Sequence, residues 1–210
     1  MDHSSFPVTP DRLLVLCRAN VCRSALAEFR LNRALERSGG HDGIEIVSAG
    51  TDARPGSPIC ADVAARISRE EGGALFANSH ASMALTDELI ASSALVITMT
   101  ARQRGIVARM LPGSQHKTFT LHEAVALASV VGDGITGLDS LEAVAARLHG
   151  ARWRAARSVE DDTIEGLPVD VFDGHSHRSR DHRRTIAAVH SAADTLGVSL
   201  GRLVPRSVAA

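Results

Sequence analysis

A thiol and a guanidinium stand six positions apart in Cys17-Arg18-Ala19-Asn20-Val21-Cys22-Arg23-Ser24, with a hydroxyl directly after them. If these residues form a tight turn, their successive N–H groups face inward and make a concave anion site of about phosphate size. Cys17 then lies at the floor of that site. A free thiol, with a pKa of about 8.5, is mostly protonated at neutral pH, and inward amides with a helix N-terminus bring it down to roughly 3.5 to 7.5. Arg23 offers a planar fork matched to two phosphoryl oxygens and keeps its charge, where lysine would supply charge without the fork. Ser24 is placed to donate to the sulfur, or else to cap the first helix. Asn20 suits a left-handed loop position and ties the loop internally through its amide. A second cysteine and arginine at the same spacing, Cys60 and Arg66, fall in a helical pattern, where backbone donors are spent on the helix and cannot cup an anion.

These residues need a strand before them and a helix after. Leu13 to Cys17 is a continuous apolar run of strand length, and from Ser24 to Arg37 the residues Ala27, Leu31, Ala34 and Leu35 form a helical stripe. Glu28, Arg30, Arg33 and Arg37 lie mostly away from it. Ile44–Ser48 reads as a second strand, and Cys60, Val63, Ala64 and Ile67 line a second helix. Leu95–Met99 reads as a third strand before a helix with the stripe Gln103, Ile106, Val107, Met110 and Leu111, stopped by Pro112-Gly113. Lys117–Leu121 is a short fourth strand. Strands alternating with helices predict an α/β fold: a three-layer sandwich with a central four-stranded parallel sheet, helices on both faces and the anion loop after strand 1. Ligands gather at the carboxyl ends of such strands, where Cys17–Ser24 lies. Residues 123–165 break the rhythm and read as an accessory, mostly helical insertion within a single domain, 1–210. It carries glycines between 132 and 137, a helix with Leu141, Val144, Ala145 and Leu148, an acidic turn at 160–162, and no evident strand. Leu167–Ser176 is a turn, and the last helix buries Ile186, Val189, Ala193 and Leu196.

Composition narrows the function classes. The 23 basic and 24 acidic side chains nearly cancel, against a nucleic-acid coat, and five Phe, one Trp and no Tyr leave little for base-stacking platforms. Three cysteines, Cys17, Cys22 and Cys60, are too few and too irregularly spaced for a disulfide scaffold or a four-ligand zinc site. Neither metal nor cofactor is expected. A reducing, cytoplasmic setting follows from the cysteine usage, the lack of an apolar signal core in residues 1–11, and the lack of any stretch near the roughly 18 apolar residues of a membrane span.

Leu14-Val-Leu-Cys17 through Arg23-Ser24-Ala-Leu-Ala-Glu28 resembles the C-x5-R-S signature of the low-molecular-weight protein tyrosine phosphatases. Ser48-Ala-Gly-Thr51, Ser79-His80, and Leu95–Met99 with Thr100 and Arg102 resemble later segments of that family in the same order. The resemblance covers residues 12–121 and 167–197. It implies a metal-free hydrolysis of phosphomonoesters, with phosphotyrosine proteins or related esters as substrates, Cys17 as nucleophile, Arg23 as phosphate clamp and Ser24 as thiolate partner. Asn20 and His80 would support the loop from behind; alone, His80 reads as an ordinary surface or core histidine.

The resemblance also implies a late-loop aspartate before proline as proton donor. Asp173 falls there, but Gly174 replaces the proline, so a less rigid loop is expected; Asp170 is the alternative. The family's cleft aromatics are replaced by Arg54-Pro55 and His175-Ser176, which suits polar or smaller esters. Ala25 stands where a proline is common, and Met83 stands near a usual basic residue. Cys22 shares the loop, and curvature brings its sulfur within reach of Cys17 on oxidation. The resemblance points the same way, to a reversible redox guard with a thiol reductant as partner; a small buried hydrophobe is the other reading. Arg178, Arg180, Arg183 and Arg184 open the last helix as an anion-attracting or simply solvated face. Two other functions remain. A phosphoryl-ligand-binding protein with weak or no turnover requires a misplaced Asp173 loop. A thiol-dependent arsenate reductase needs further cysteines, and none follows Cys60.

Overall fold

The structure, a computed structural model, describes residues 11–38, 43–132, 137–158, 162–175 and 179–204. Its centre is a parallel sheet of β1 (Asp11–Cys17), β2 (Ile44–Gly50), β3 (Leu95–Thr98) and β4 (Thr118–Thr120) in the order β2-β1-β3-β4. Because side chains alternate across a strand, Leu13, Val15 and Cys17 join one apolar layer while Leu14 and Leu16 join the other. The first layer holds α1 (Arg23–Arg37) and α8 (Ser179–Leu203), and the second holds α4 (Asp87–Ala91) and α5 (Ala101–Met110). The predicted α/β sandwich is therefore the fold. Both stripes predicted for α1 and α8 are buried.

Two short helices lacked a legible pattern: α3 (Gly73–Ser79), which follows α2 (Ala61–Ile67), and α4. Arg30 is another departure. Assigned to the open face of α1, it is buried, forking onto both carboxylate oxygens of Asp194 at 2.8 and 2.5 Å and pairing with Glu70. It thereby ties α1 to α8. A buried guanidinium persists only when its donors are met this way.

The first two helices after β4 among the described residues pack into the core. Thr120 caps α6 (Leu121–Val131) in a capping box with Glu123, and α7 (Leu141–Ala151) buries Leu141, Val144, Ala145 and Leu148 in the first apolar layer. Arg152 reinforces the join, donating to the Thr118 carbonyl at 2.6 Å and to Glu123 at 3.0 Å while lying 4.3 Å over the Phe119 ring. A small antiparallel sheet, absent from the sequence reading, follows: β5 (Arg157–Ser158), β6 (Thr163–Ile164) and β7 (Leu167–Pro168). Strands of two residues carry no periodicity to read. The acidic turn at 160–162 and the glycine stretch lie partly, and Ser176 and Arg178 wholly, outside the described residues. No helix among the described residues is long and apolar enough to cross a membrane.

Candidate active site

The loop between β1 and α1 closes around the Cys17 sulfur. Asn20 holds φ 55°, a left-handed value its short polar side chain tolerates, and this turns its amide back onto Cys17 Sγ at 3.2 Å. Ser24 Oγ lies 3.0 Å from the same sulfur. The first helical bond of α1 runs from the Leu26 amide to the Cys22 carbonyl, so the amides of Arg23, Ser24 and Ala25 have no helical acceptor. Cys22 is the N-cap residue, makes no side-chain cap, and no acid occupies the first turn. The positive end of α1 is thus left uncompensated beside the sulfur, as an anion site requires. Ser24 does not cap the helix; its hydroxyl is committed to Cys17 and Asn20.

Asn20 is the internal tie. Fully buried, its Nδ2 donates to Ser24 Oγ at 2.9 Å and to Ser48 Oγ at 2.7 Å, while its Oδ1 accepts the Met83 amide at 2.8 Å. Its carbonyl accepts His80 Nε2–H at 2.8 Å, which puts His80 behind the loop. Met83 enters through its backbone, so the lack of a basic side chain costs the loop nothing here. Two groups missed in the sequence complete the chain. Ser48 Oγ donates at 2.5 Å to Glu28 Oε2, and burial, against the pull of that bond, raises the Glu28 carboxyl from 4.5 to about 7. Neither residue carries a local signal, because β2 and the flank of α1 meet only in the folded chain. Gly50 ends β2 where a Cβ would lie 2.5 Å from the Arg18 carbonyl, and that glycine lets the 51–54 turn pack onto the loop. Arg18 pairs there with Asp52 at the exposed rim, and Arg54 is exposed.

Arg23 is buried and points to the late loop, donating to the Val171 carbonyl at 3.2 Å and to the Asp173 carboxylate. Asp173 is therefore beside the clamp, with its side chain 39% exposed. Asp170 has a different job: its Oδ1 accepts the Ala101 amide at 2.6 Å, at the start of α5. Gly174 does not loosen the loop. A Cβ there would lie 2.5 Å from the Asp181 carbonyl, and its amide donates to Thr185 Oγ1 at 3.1 Å, while that hydroxyl donates to the Phe172 carbonyl at 3.0 Å. Exposed Phe172 also puts an aromatic ring next to the acid, where sequence reading found none.

Cys22, in the same loop, meets α8 through its side chain. Its Sγ lies 3.1 Å from His182 Nε2 and shares a hydrogen bond with Cys60; that bond and burial both raise the Cys22 thiol, while for Cys60 the same bond outweighs burial and lowers the thiol to about 6. All three cysteines are free.

With a buried sulfur, an uncapped helix start and a clamp beside a carboxylate in place, the comparisons with known proteins settle the family. A model described as low molecular weight phosphotyrosine protein phosphatase matches residues 12–131. The chain belongs to that family. The match includes α6, so the family likeness extends past residue 121. The chain is 31% identical to the protein-arginine-phosphatase of Bacillus subtilis over 113 residues, covering 54% of this chain and 71% of that one. It is 34% identical to the protein-arginine-phosphatase of Geobacillus stearothermophilus over 117 residues, covering 55% and 72%. Among solved structures, a YwlE mutant from Bacillus subtilis superposes with TM-score 0.61 at 23% identity, covering 90% of this chain and 97% of that one. A low molecular weight protein tyrosine phosphatase from T. tengcongensis superposes with TM-score 0.60 at 21% identity, covering 88% and 96%. These likenesses share the fold. As a member of the family, the chain is a cysteine-dependent protein phosphatase.

Proposed function

We propose that Cys17, Arg23 and Asp173 carry out phosphoryl transfer from a phosphoprotein through a cysteinyl phosphate. The single observation behind this assignment is the convergence of the Asn20 amide and the Ser24 hydroxyl on a buried Cys17 sulfur next to the Arg23–Asp173 pair. The incoming dianion displaces Asp173 from Arg23 and takes the guanidinium fork and loop amides. Cys17 Sγ attacks phosphorus, the bond to the leaving oxygen breaks, and Asp173 gives that oxygen its proton. Water then attacks the cysteinyl phosphate, Asp173 accepts the water's proton, and the sulfur leaves as thiolate under the Ser24 hydrogen bond. Arg23 holds the equatorial oxygens throughout. His80 and Asn20 act by positioning the loop.

Phosphotyrosine is the first substrate reading, with Phe172 beside the acid suited to an aryl leaving group. Phosphoarginine is the second, favoured by the curated relatives being protein-arginine-phosphatases and by the carboxylates of Asp52 and Asp173 near the loop, which suit a guanidinium. The reducing, cytoplasmic setting expected from cysteine usage accords with a thiol nucleophile. Phosphotyrosyl and phosphoarginyl peptides are to be assayed with the wild type and with Cys17→Ser, and the wild type quenched at low pH for mass spectrometry. A phosphoryl group on Cys17, with turnover abolished in the variant, is expected. Phosphate binding with neither adduct nor turnover would overturn the proposal and leave a phosphoryl-binding protein.

A further inference from the structure

Behind the anion loop, four side chains from four separate segments meet: Cys22 at the start of α1, Cys60 before α2, His175 after the acid loop and His182 in α8. One ligand atom from each lies within 4.8 Å of the other three. His182 is buried, with Nε2 3.1 Å from Cys22 Sγ and 3.8 Å from Cys60 Sγ, and its ring stands edge-on to His175 at 5.1 Å. Its other nitrogen, Nδ1, is 2.7 Å from the Asp62 carboxylate. The phosphatase chemistry uses none of these groups.

We propose that Cys22, Cys60, His175 and His182 form a tetrahedral zinc site that fastens the anion loop to the acid loop. Zinc–sulfur bonds of about 2.3 Å and zinc–nitrogen bonds of about 2.0–2.1 Å put tetrahedral donors roughly 3.3 to 3.8 Å apart. The quartet therefore closes on an ion by movements of an ångström or less. Two thiolates and two imidazoles are the donor set that selects zinc over harder cations. Both cysteines bind as thiolates, any thiol proton passing to solvent as the metal binds, and two thiolates on a divalent ion give a neutral centre. The Asp62 contact is the carboxylate–histidine pairing that fixes a ligand ring, holding the proton on Nδ1 and leaving Nε2 for the metal. His175 is exposed and gives the ion its way in. Counting cysteines alone excludes a four-ligand site; histidines from the far end of the chain supply the missing half.

The consequence is positional. His175 is two residues after Asp173, and Cys22 is the residue before Arg23, so one ion pins both the acid and the clamp. It also commits the Cys22 sulfur to the metal, so that a disulfide with Cys17 cannot form while the ion is bound.

The test is optical, so its failure is distinguishable from failure of the phosphatase reading. The full chain, reduced and stripped with a chelator, is titrated with cobalt(II). One equivalent is expected to give the visible bands of tetrahedral cobalt and a near-ultraviolet thiolate charge-transfer band, both abolished by zinc. Cys17→Ser retains them. Cys60→Ser weakens the charge-transfer band, His175→Ala lowers affinity at least about tenfold, and Asp62→Asn lowers it by about 10- to 100-fold. His175 is exposed, so its variant keeps the test open if Cys60→Ser fails to fold. A wild type without tetrahedral bands, or spectra and affinity unchanged in both Cys60→Ser and His175→Ala, overturns the site.

Discussion

Replacing Asn20 tests how the anion loop is held. Its side chain is fully buried and makes three hydrogen bonds, two donated by Nδ2 and one accepted from the Met83 amide. Each such bond contributes about 1 kcal/mol net, and a buried amide left without a partner costs about 1–3 kcal/mol more. Asn20→Ala also puts a methyl-bearing residue at φ 55°, which costs about 1–2 kcal/mol. The expected loss is roughly 5–8 kcal/mol, a large part of the 5–15 kcal/mol total of a domain this size. Asn20→Gly loses the same bonds without the left-handed penalty and ranks above alanine by about 1 kcal/mol. Unfolding is best followed by circular dichroism in urea, because the single tryptophan, Trp153, is 82% exposed and reports poorly on the core. Aryl phosphate hydrolysis in the absence of denaturant reads the site: with the Asn20 amide and Ser24 hydroxyl no longer fixed against Cys17, kcat/KM is expected to fall by roughly 10²-fold. Asn20→Ala within about 1 kcal/mol of wild type at unchanged kcat/KM, or glycine no better than alanine, would refute the reasoning.

Glu28 gives the molecule a pH dependence. Its carboxyl titrates near 4.5 unfolded and about 7 folded, so between these values the folded state holds more protons and stability falls as pH rises, by about 3 kcal/mol when complete. Glu28→Gln is expected to match wild type near pH 4 and exceed it above pH 7; a difference constant from pH 4 to 8 in urea titrations rules this out. Gly174 gives a steric test. Alanine meets the Asp181 carbonyl, and proline additionally removes the amide that Thr185 accepts, so both variants lose about 1–3 kcal/mol and displace Asp173. A proline variant with wild-type melting temperature and kcat would show that the loop is not seated on α8 as described.

What the sequence makes legible depends on where the determining contacts lie. The loop from Cys17 to Ser24 is readable because strand, turn and helix are consecutive, and the chemistry follows from residue types alone. Arg30 and Glu28 are misread for the opposite reason. Helical periodicity places both charges off the apolar stripe, and only α8, arriving some 160 residues later, supplies Asp194 for Arg30, while β2 supplies Ser48 for Glu28. Gly174 shows the same limit in the backbone: a glycine in place of proline reads as freedom, yet the nearby Asp181 carbonyl and Thr185 hydroxyl make it the one residue that fits. The Arg23–Asp173 pair follows from this seating. With the late loop held by Thr185 on one side and by the Val171 amide on the Met99 carbonyl at 2.8 Å on the other, the acid is delivered to the clamp by main-chain bonds rather than by its own charge. Asp173→Asn should therefore leave the loop in place while removing the proposed proton donor. That separates positioning from chemistry at this residue: phosphate affinity is retained, and turnover falls most for the esters with the poorest leaving groups.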